Sequence, residues 1–327
     1  MGKIFGRLGF YGVAIFLALC LNFIIPRLMP GDPMSMIFAR FQGQMSPDAI
    51  VALRQEMGFT DAPILVQFYH YMTSILHGNF GVSTSLYPAQ VGSVIWQSLG
   101  WTLLLAGASL LISFTLGTIL GALAAWNRGG VIDRWVTPAL IFVGSFPYFW
   151  LAMLLVYTFS YVFEIFPIGH AYSDGLKPSW TLGFALDVLH HLCLPAVSII
   201  LATLGGWILS MRNAMITTLG SEFINLAQSK GLTQRVVLFR YAARNALLPN
   251  ITGLGMALGY VLAGSMLTEI VFSYPGQGFL LVQAVRNQDY PLMQGLFFCI
   301  TIAVLLANWL VDLAYLWLDP RTRGAQT

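Results

Sequence analysis

The chain has 327 residues, 57% of them hydrophobic and only 9% charged, whereas a soluble globular chain carries about a quarter charged residues. The formal net charge of +3 is too small to point to a nucleic-acid partner. Ionisable residues are missing from long stretches, so the composition is that of an all-α chain solvated by lipid and excludes an ordinary soluble domain.

In chain order, Lys3 and Arg7 precede an apolar run over residues 8–25. A secretory leader opens in the same way. This run is long for a leader core, however, and no small-x-small site precedes Pro26, so a retained span is predicted. An outer loop, 26–100, follows. Within it Ser46-Pro47-Asp48 has the order of a helix start, with a capping side chain, proline at the first position and an acid at the positive end of the dipole. Gly58 fits the stop, which predicts a short helix over 47–57. The apolar-aromatic stretch 64–76 predicts a second helix lying on the membrane or on the protein.

Five more runs are long enough to cross about 30 Å of hydrocarbon: 101–126, 135–163, 188–211, 247–272 and 292–318. In lipid the backbone must satisfy its own hydrogen bonds, so all six spans are helices. The organisation expected is a first span with its loop (1–100), a five-span core (101–318) and a tail (319–327). With the N-terminus in the cytoplasm, eleven of the sixteen Lys and Arg fall on cytoplasmic segments, as the positive-inside rule requires, and the C-terminus returns to the same side.

Pro138 and Pro147 interrupt the third span and Pro195 the fourth. Gly117-x-x-x-Gly121 and Gly255-x-x-x-Gly259 are small-residue pairs that let helices pack closely or slide. Glu269, near the outer end of the fifth span, is either a group at the interface bonded to the Pro-Gly turn that follows or a functional charge, since ionisable groups at membrane depth are expensive. Asp312 is expected to pair within the bundle or to reach inward. Cys20, Cys193 and Cys299 have no metal-ligand spacing and read as buried small hydrophobes. His190 and His191 lack acidic partners at ligand spacing, so no metal site is expected.

The segment 212–247 is too long for a simple turn between spans. It reads as two short helices, one from Gly220-Ser221 to Lys230 and one capped by Thr233 and running to about Asn245, broken at Gly231. A helix–Gly–helix held along the membrane surface is a docking element for something in the cytoplasm.

These residues carry a resemblance. Glu222-Phe223-Ile224-Asn225-Leu226-Ala227-Gln228-Ser229-Lys230-Gly231-Leu232, followed by Arg244-Asn245-Ala246-Leu247-Leu248-Pro249, resembles the "EAA loop" of binding-protein-dependent ABC importer permeases, in particular the dipeptide and oligopeptide branch. Pro30-Gly31-Asp32-Pro33 after the first span, Glu269-x-Val271-Phe272-x-x-Pro275-Gly276-x-Gly278 after the fifth, Asp289-Tyr290-Pro291 before the sixth and Asp319-Pro320-Arg321 behind it agree, in order, over nearly the whole chain. Three features depart from the pattern. Only the final alanine of the naming triplet is kept, the spacing from Gly231 to Pro249 is longer than the general importer consensus though it resembles the peptide branch, and Asn79 stands where the branch often has Asp.

The resemblance implies a six-span type I ABC importer permease (MetI-like) fold in a prokaryotic plasma (inner) membrane. It implies half of a translocation path and a coupling helix that sits in a groove on an ATPase. Glu222, Leu226, Ala227, Lys230, Gly231 and Leu232 are the expected coupling residues: Leu226 and Leu232 as apolar anchors, Ala227 for close approach, Gly231 for the tight turn. Glu269, Phe272, Pro275 and Gly276 are candidates for the path or outer gate. The implied partners are a second, homologous permease in a heterodimer, two ATP-binding subunits that hold ATP and Mg, an extracytoplasmic substrate-binding protein and membrane lipid. No cofactor is expected in this chain.

The sequence holds no Gly-x-x-x-x-Gly-Lys-Ser/Thr phosphate loop, nucleophile elbow, His-Glu-x-x-His or Cys pair. A non-catalytic subunit is therefore expected. Two rivals of other classes, a stand-alone secondary transporter or channel and an intramembrane enzyme, lack respectively the intramembrane charges or inverted repeats and the catalytic constellation they need. Within the importer reading, the solute is a di- or oligopeptide or, alternatively, an oligosaccharide or another small solute.

Overall fold

A computed structural model describes the backbone of residues 2–28 and 62–318. The predicted helix over 47–57, the Pro30–Pro33 and Asp319–Arg321 motifs, the side chain of Asp312 and the surroundings of Gly259 lie outside the described residues. The described chain is helical throughout, with one isolated bridge between Val82 and Gln90. In order the helices are α1 (Gly2–Leu28), α2 (Ile64–Leu76), α3 (Val91–Trp126), α4 (Ile132–Gly144), α5 (Tyr148–Val162), α6 (Leu182–Leu219), α7 (Glu222–Ser229), α8 (234–246), α9 (Leu248–Gly264), α10 (Met266–Val271), α11 (Gln277–Arg286) and α12 (Tyr290–Leu318). Among the described residues, α1, α3 and α6 contain stretches long and apolar enough to cross a membrane, and α4 with α5 makes a fourth crossing if the bent pair is one span. The expected fifth span is divided between α9 and α10, and the sixth falls within α12.

The prolines act differently from expectation. Pro147 breaks the third span: it is the extended residue before α5, and α4 and α5 diverge by 99°. A residue preceding proline is pushed out of the helical region, so the chain turns at Ser145–Phe146. Pro195 breaks nothing. It is buried inside α6, which runs for 38 residues, about 57 Å at 1.5 Å per residue. The expected end near Met211 is thus two turns too early. The close packing expected at Gly117 and Gly121 has a direct geometric basis. A Cβ at Gly117 would stand 2.4 Å from the Cβ of Trp207, and one at Gly121 2.5 Å from the carbonyl oxygen of Ile208. The pair is a close-packed seam between α3 and α6.

Contacts divide the chain into two units: residues 1–101 with 275–305, and residues 102–274 with 306–327. In the first, Asp289 is fully buried at the head of α12. Its Oδ1 accepts from the Leu292 amide at 3.1 Å, and its Oδ2 from the Ser85 amide and hydroxyl at 2.8 and 2.6 Å and from the Ser83 hydroxyl. That gives Asp289-Tyr290-Pro291 a physical role as a helix cap that also holds the preceding loop. The three cysteines are half-buried and unbridged.

Candidate functional site

In the second unit, the helix pair read from sequence is built on a core that the chain supplies itself. Ile224 and Ala227 of α7 are 1% and 3% exposed and pack among Ala122 and Ala125 of α3, Met211 and Met215 of α6, and Val237, Leu238, Ala242 and Ala246 of α8. Burying Ile224 alone contributes about 1.5–3 kcal/mol. At 100° per residue, Glu222, Phe223, Leu226 and Lys230 fall within one arc of the opposite face, and all four are exposed. Phe223 and Leu226 remain 42% and 57% exposed. The acid begins this stripe and the base ends it, each on the side the helix dipole favours.

The turn after α7 is a glycine-capped reversal. Gly231 has φ +74°, its amide donates to the Gln228 carbonyl at 2.9 Å, and the Leu232 amide reaches back to the Ala227 carbonyl at 3.4 Å. These two bonds are those of a Schellman motif, with Leu232 supplying its usual apolar contact against the same core. A Cβ at Gly231 would meet nothing within 4 Å, so the glycine is there for its backbone angle. Thr233 stands at the next helix start in extended conformation, but its side chain caps nothing.

The expected coupling residues therefore separate into three groups. Glu222, Leu226 and Lys230 face outward; Gly231 shapes the turn; Ala227 is buried in the protein's own core and Leu232, half-buried, packs against it. Phe223 completes the outward stripe and was missed by sequence reasoning, although its position three residues before Leu226 would have signalled it.

Two polar contacts anchor this region. Arg212 Nε donates to Asp133 Oδ1 at 2.5 Å, and Asp133 Oδ2 accepts from the Gly129 amide at 2.9 Å. Asn250, fully buried in α9, accepts from Ser210 Oγ at 2.6 Å and donates to Thr118 Oγ1 at 3.1 Å, which joins α9 to α6 and α3. Above them a groove of about 580 Å³ runs between α4, α6 and α9, lined by Ser145, Thr203, Gly206, Trp207, Ser210 and Ala257 among others. Gly205 and Gly144 let α4 and α6 touch along its floor: a Cβ at Gly205 would lie 2.8 Å from the Leu140 carbonyl oxygen.

The gate candidates are placed otherwise than expected. Glu269 is fully buried and accepts from Thr102 Oγ1 at 2.8 Å and from Ser265 Oγ at 2.9 Å. Phe272 is 1% exposed, and its carbonyl accepts from the His170 amide at 2.9 Å. In the other unit Gly276 is buried and Pro275 half-buried. Glu269, Phe272 and Gly276 are thus buried in this conformation. Glu269 bonds hydroxyls of α3 and of its own segment through its carboxylate, and its backbone carbonyl accepts from the Tyr274 amide of the turn at 2.8 Å. His190 and His191 contact the carbonyls of Ile165 and Asp187, and the Asp187 carboxylate lies 3.7 Å from His191 Nδ1, an acidic neighbour one turn away that the sequence reading missed; no group of three possible metal ligands forms among the described residues.

Long apolar helices packed through glycine seams, with a short amphipathic helix braced on one face and exposed on the other, define a multi-pass membrane protein. Comparison with known proteins gives the family. Residues 117–324 match the model described as "Binding-protein-dependent transport system inner membrane component". The chain is 36% identical over 320 residues to the probable D,D-dipeptide transport system permease protein DdpB of Escherichia coli (strain K12), covering 92% of this chain and 91% of that one. It is 34% identical over 304 residues to the probable peptide ABC transporter permease protein y4tP of Sinorhizobium fredii (strain NBRC 101917 / NGR234), with 92% of each covered. It is 33% identical over 324 residues to the dipeptide transport system permease protein DppB of Escherichia coli (strain K12), with 93% of each covered. The chain belongs to the family of inner membrane components of binding-protein-dependent transport systems.

Proposed function

We propose that this chain is a permease subunit of an ATP-driven importer of di- or oligopeptides, forming half of the translocation path and docking an ATPase on the outward stripe of α7. The observation that carries this reading is the division of α7 itself. Ile224 and Ala227 lock it to the core while Phe223 and Leu226 stay exposed beside two charges. Exposed apolar residues rimmed by charge mark a protein contact. The peptide class follows from the names of the three relatives.

On this reading both termini lie in the cytoplasm of a prokaryotic inner membrane. A second, homologous permease completes the pore, two ATPases carry ATP and Mg, and an extracytoplasmic binding protein delivers the solute. The chain itself is non-catalytic and holds no cofactor. The groove lined by Thr203, Gly206 and Ser210 is its share of the path; its volume falls in the range of small-molecule sites, about 300–1,000 Å³. ATP binding moves the ATPases together, and the motion enters this chain through α7. The shift from inward-open to outward-open is a population shift, driven by the difference in ATP affinity between the two states.

The test is Phe223→Asp with Leu226→Asp in the assembled importer. Removing two central apolar anchors of an interface is expected to weaken ATPase retention by tenfold or more, with membrane insertion and thermal midpoint at wild-type values. Full retention and full uptake in that variant would overturn the docking assignment.

A further inference from the structure

The groove between α4, α6 and α9 is walled by stretches without a charge: residues 135–163, 192–211 and 245–268 hold no Asp, Glu, Lys, Arg or His. Its described polar lining consists of Ser145, Thr203, Ser210 and the indole of Trp207. On α6 the residues Thr203, Gly206, Trp207 and Ser210 recur at helical spacing on one face, with about 10.5 Å between the first and the last at 1.5 Å per residue. Gly144 brings α4 against α6: a Cβ there would lie 3.0 Å from the Ala202 carbonyl oxygen. Ser145, the next residue, opens onto the same groove.

The protons of all three hydroxyls are spent inside the chain. Ser145 Oγ donates to the Ile141 carbonyl at 3.0 Å, and Thr203 Oγ1 donates to the Ile199 carbonyl at 2.9 Å. Ser210 is fixed by Asn250. The Asn250 amide nitrogen lies 3.4 Å from the Trp207 carbonyl oxygen, which can only accept. Asn250 Oδ1 therefore faces Ser210 Oγ at 2.6 Å, and the Ser210 hydroxyl must donate. Asn250 is fully buried, and reversing its amide would set two oxygens against each other at the Trp207 carbonyl. A hydroxyl whose proton is committed can only accept from a further partner. The wall thus offers a solute three acceptors against one donor, the neutral indole N–H of Trp207. Acceptors of this kind bond most strongly to a charged N–H donor. We propose that this wall selects hydrogen-bond donors, an ammonium group above all, and that Asn250 is the positioning residue that commits Ser210 to accepting. A carboxylate meets no cation on these stretches. On the reading of the groove as the path, on which this rests, the amino end of a peptide is the end the wall holds.

The test uses the assembled importer in lipid nanodiscs, with Gly206→Cys added to a chain carrying Cys20→Ala, Cys193→Ala and Cys299→Ala. Position 206 lies between Thr203 and Ser210, and nothing is within 4 Å of a Cβ added there. Three methanethiosulfonates are the probes: 2-aminoethyl, whose ammonium donates hydrogen bonds; 2-(trimethylammonio)ethyl, a cation without a donor; and 2-sulfonatoethyl, an anion. Each labelling rate is corrected for the assembly lacking Gly206→Cys and divided by that reagent's rate with free 2-mercaptoethanol. The aminoethyl reagent is expected to exceed both others about tenfold, the scale of one hydrogen bond to a charged group. Thr203→Val with Ser145→Ala should abolish that excess and leave the other two rates unchanged. Asn250→Ala frees the Ser210 proton and should raise the sulfonatoethyl rate alone; a rise of all three rates would overturn the role given to Asn250. The selectivity is overturned if the aminoethyl reagent shows no excess over either of the others, or if its excess survives loss of the Thr203 and Ser145 hydroxyls. Absence of labelling by every reagent overturns it too, since the groove is then covered in the assembly. These rates do not depend on transport: an excess found while Gly206→Trp leaves uptake normal keeps the selectivity and removes the path reading, and blocked uptake without an excess does the reverse.

Discussion

The seam between α3 and α6 and the turn after α7 both depend on glycine, for opposite reasons. Gly117 and Gly121 have ordinary helical geometry and no room: the neighbouring helix occupies the space a Cβ would take, at 2.4 and 2.5 Å. Gly231 has ample room and an unusual angle, φ +74°. One residue type thus serves close approach of two helices in one place and a left-handed backbone in the other. The two uses respond differently to substitution, because a steric demand is relieved only by smallness and a conformational demand by any residue that tolerates positive φ.

That contrast can be broken in three places. The largest effect is expected for Gly121→Val, whose side chain would meet backbone of α6 and force the seam apart. A loss of about 3 kcal/mol is the scale of such overpacking, read as a lowered thermal midpoint or a new protease-sensitive site. Gly231→Ala comes next, at about 1–2 kcal/mol for a left-handed alanine. Gly231→Asn should recover most of that loss, whereas Gly121→Asn should recover nothing; equal behaviour of the two asparagine variants would refute the distinction. The smallest effect has the opposite sign. Gly206, on α6, has nothing within 4 Å of its would-be Cβ, so Gly206→Ala should stabilise the helix by about 0.5–1 kcal/mol. Gly206→Trp should leave assembly intact and block uptake by filling the groove, and normal uptake in that variant would remove the groove from the path.

Much of the fold was legible because lipid leaves the backbone few options: an apolar run of sufficient length is a helix. What could not be read were properties set by distant residues. Arg212 looked like the end of the fourth span, yet Asp133, 79 residues away, neutralises it and the helix continues to Leu219. Glu269 looked like an interfacial charge, yet the Thr102 hydroxyl, 167 residues away, lets it sit in full burial. Pro147 and Pro195 are indistinguishable as letters; the first precedes a redirected helix and the second lies in a packed face. In the candidate site, the glycine break was visible as punctuation. The facing of α7 was not, since eight residues make barely two turns and the phase depends on which neighbours cover it. Asn250, a lone amide in an apolar run, gave a signal that was overlooked.

The unbroken length of α6 has a mechanical consequence. Its Met211 and Met215 sit in the core beneath α7, while Thr203 and Ser210 on the same rod face the groove. From Thr203 to Leu219 the helix is unbroken and holds no proline, Pro195 lying beyond the groove residues. If α7 docks an ATPase as proposed, the rod acts as a lever arm, and a displacement of α7 reaches the groove as translation or tilt of the whole wall.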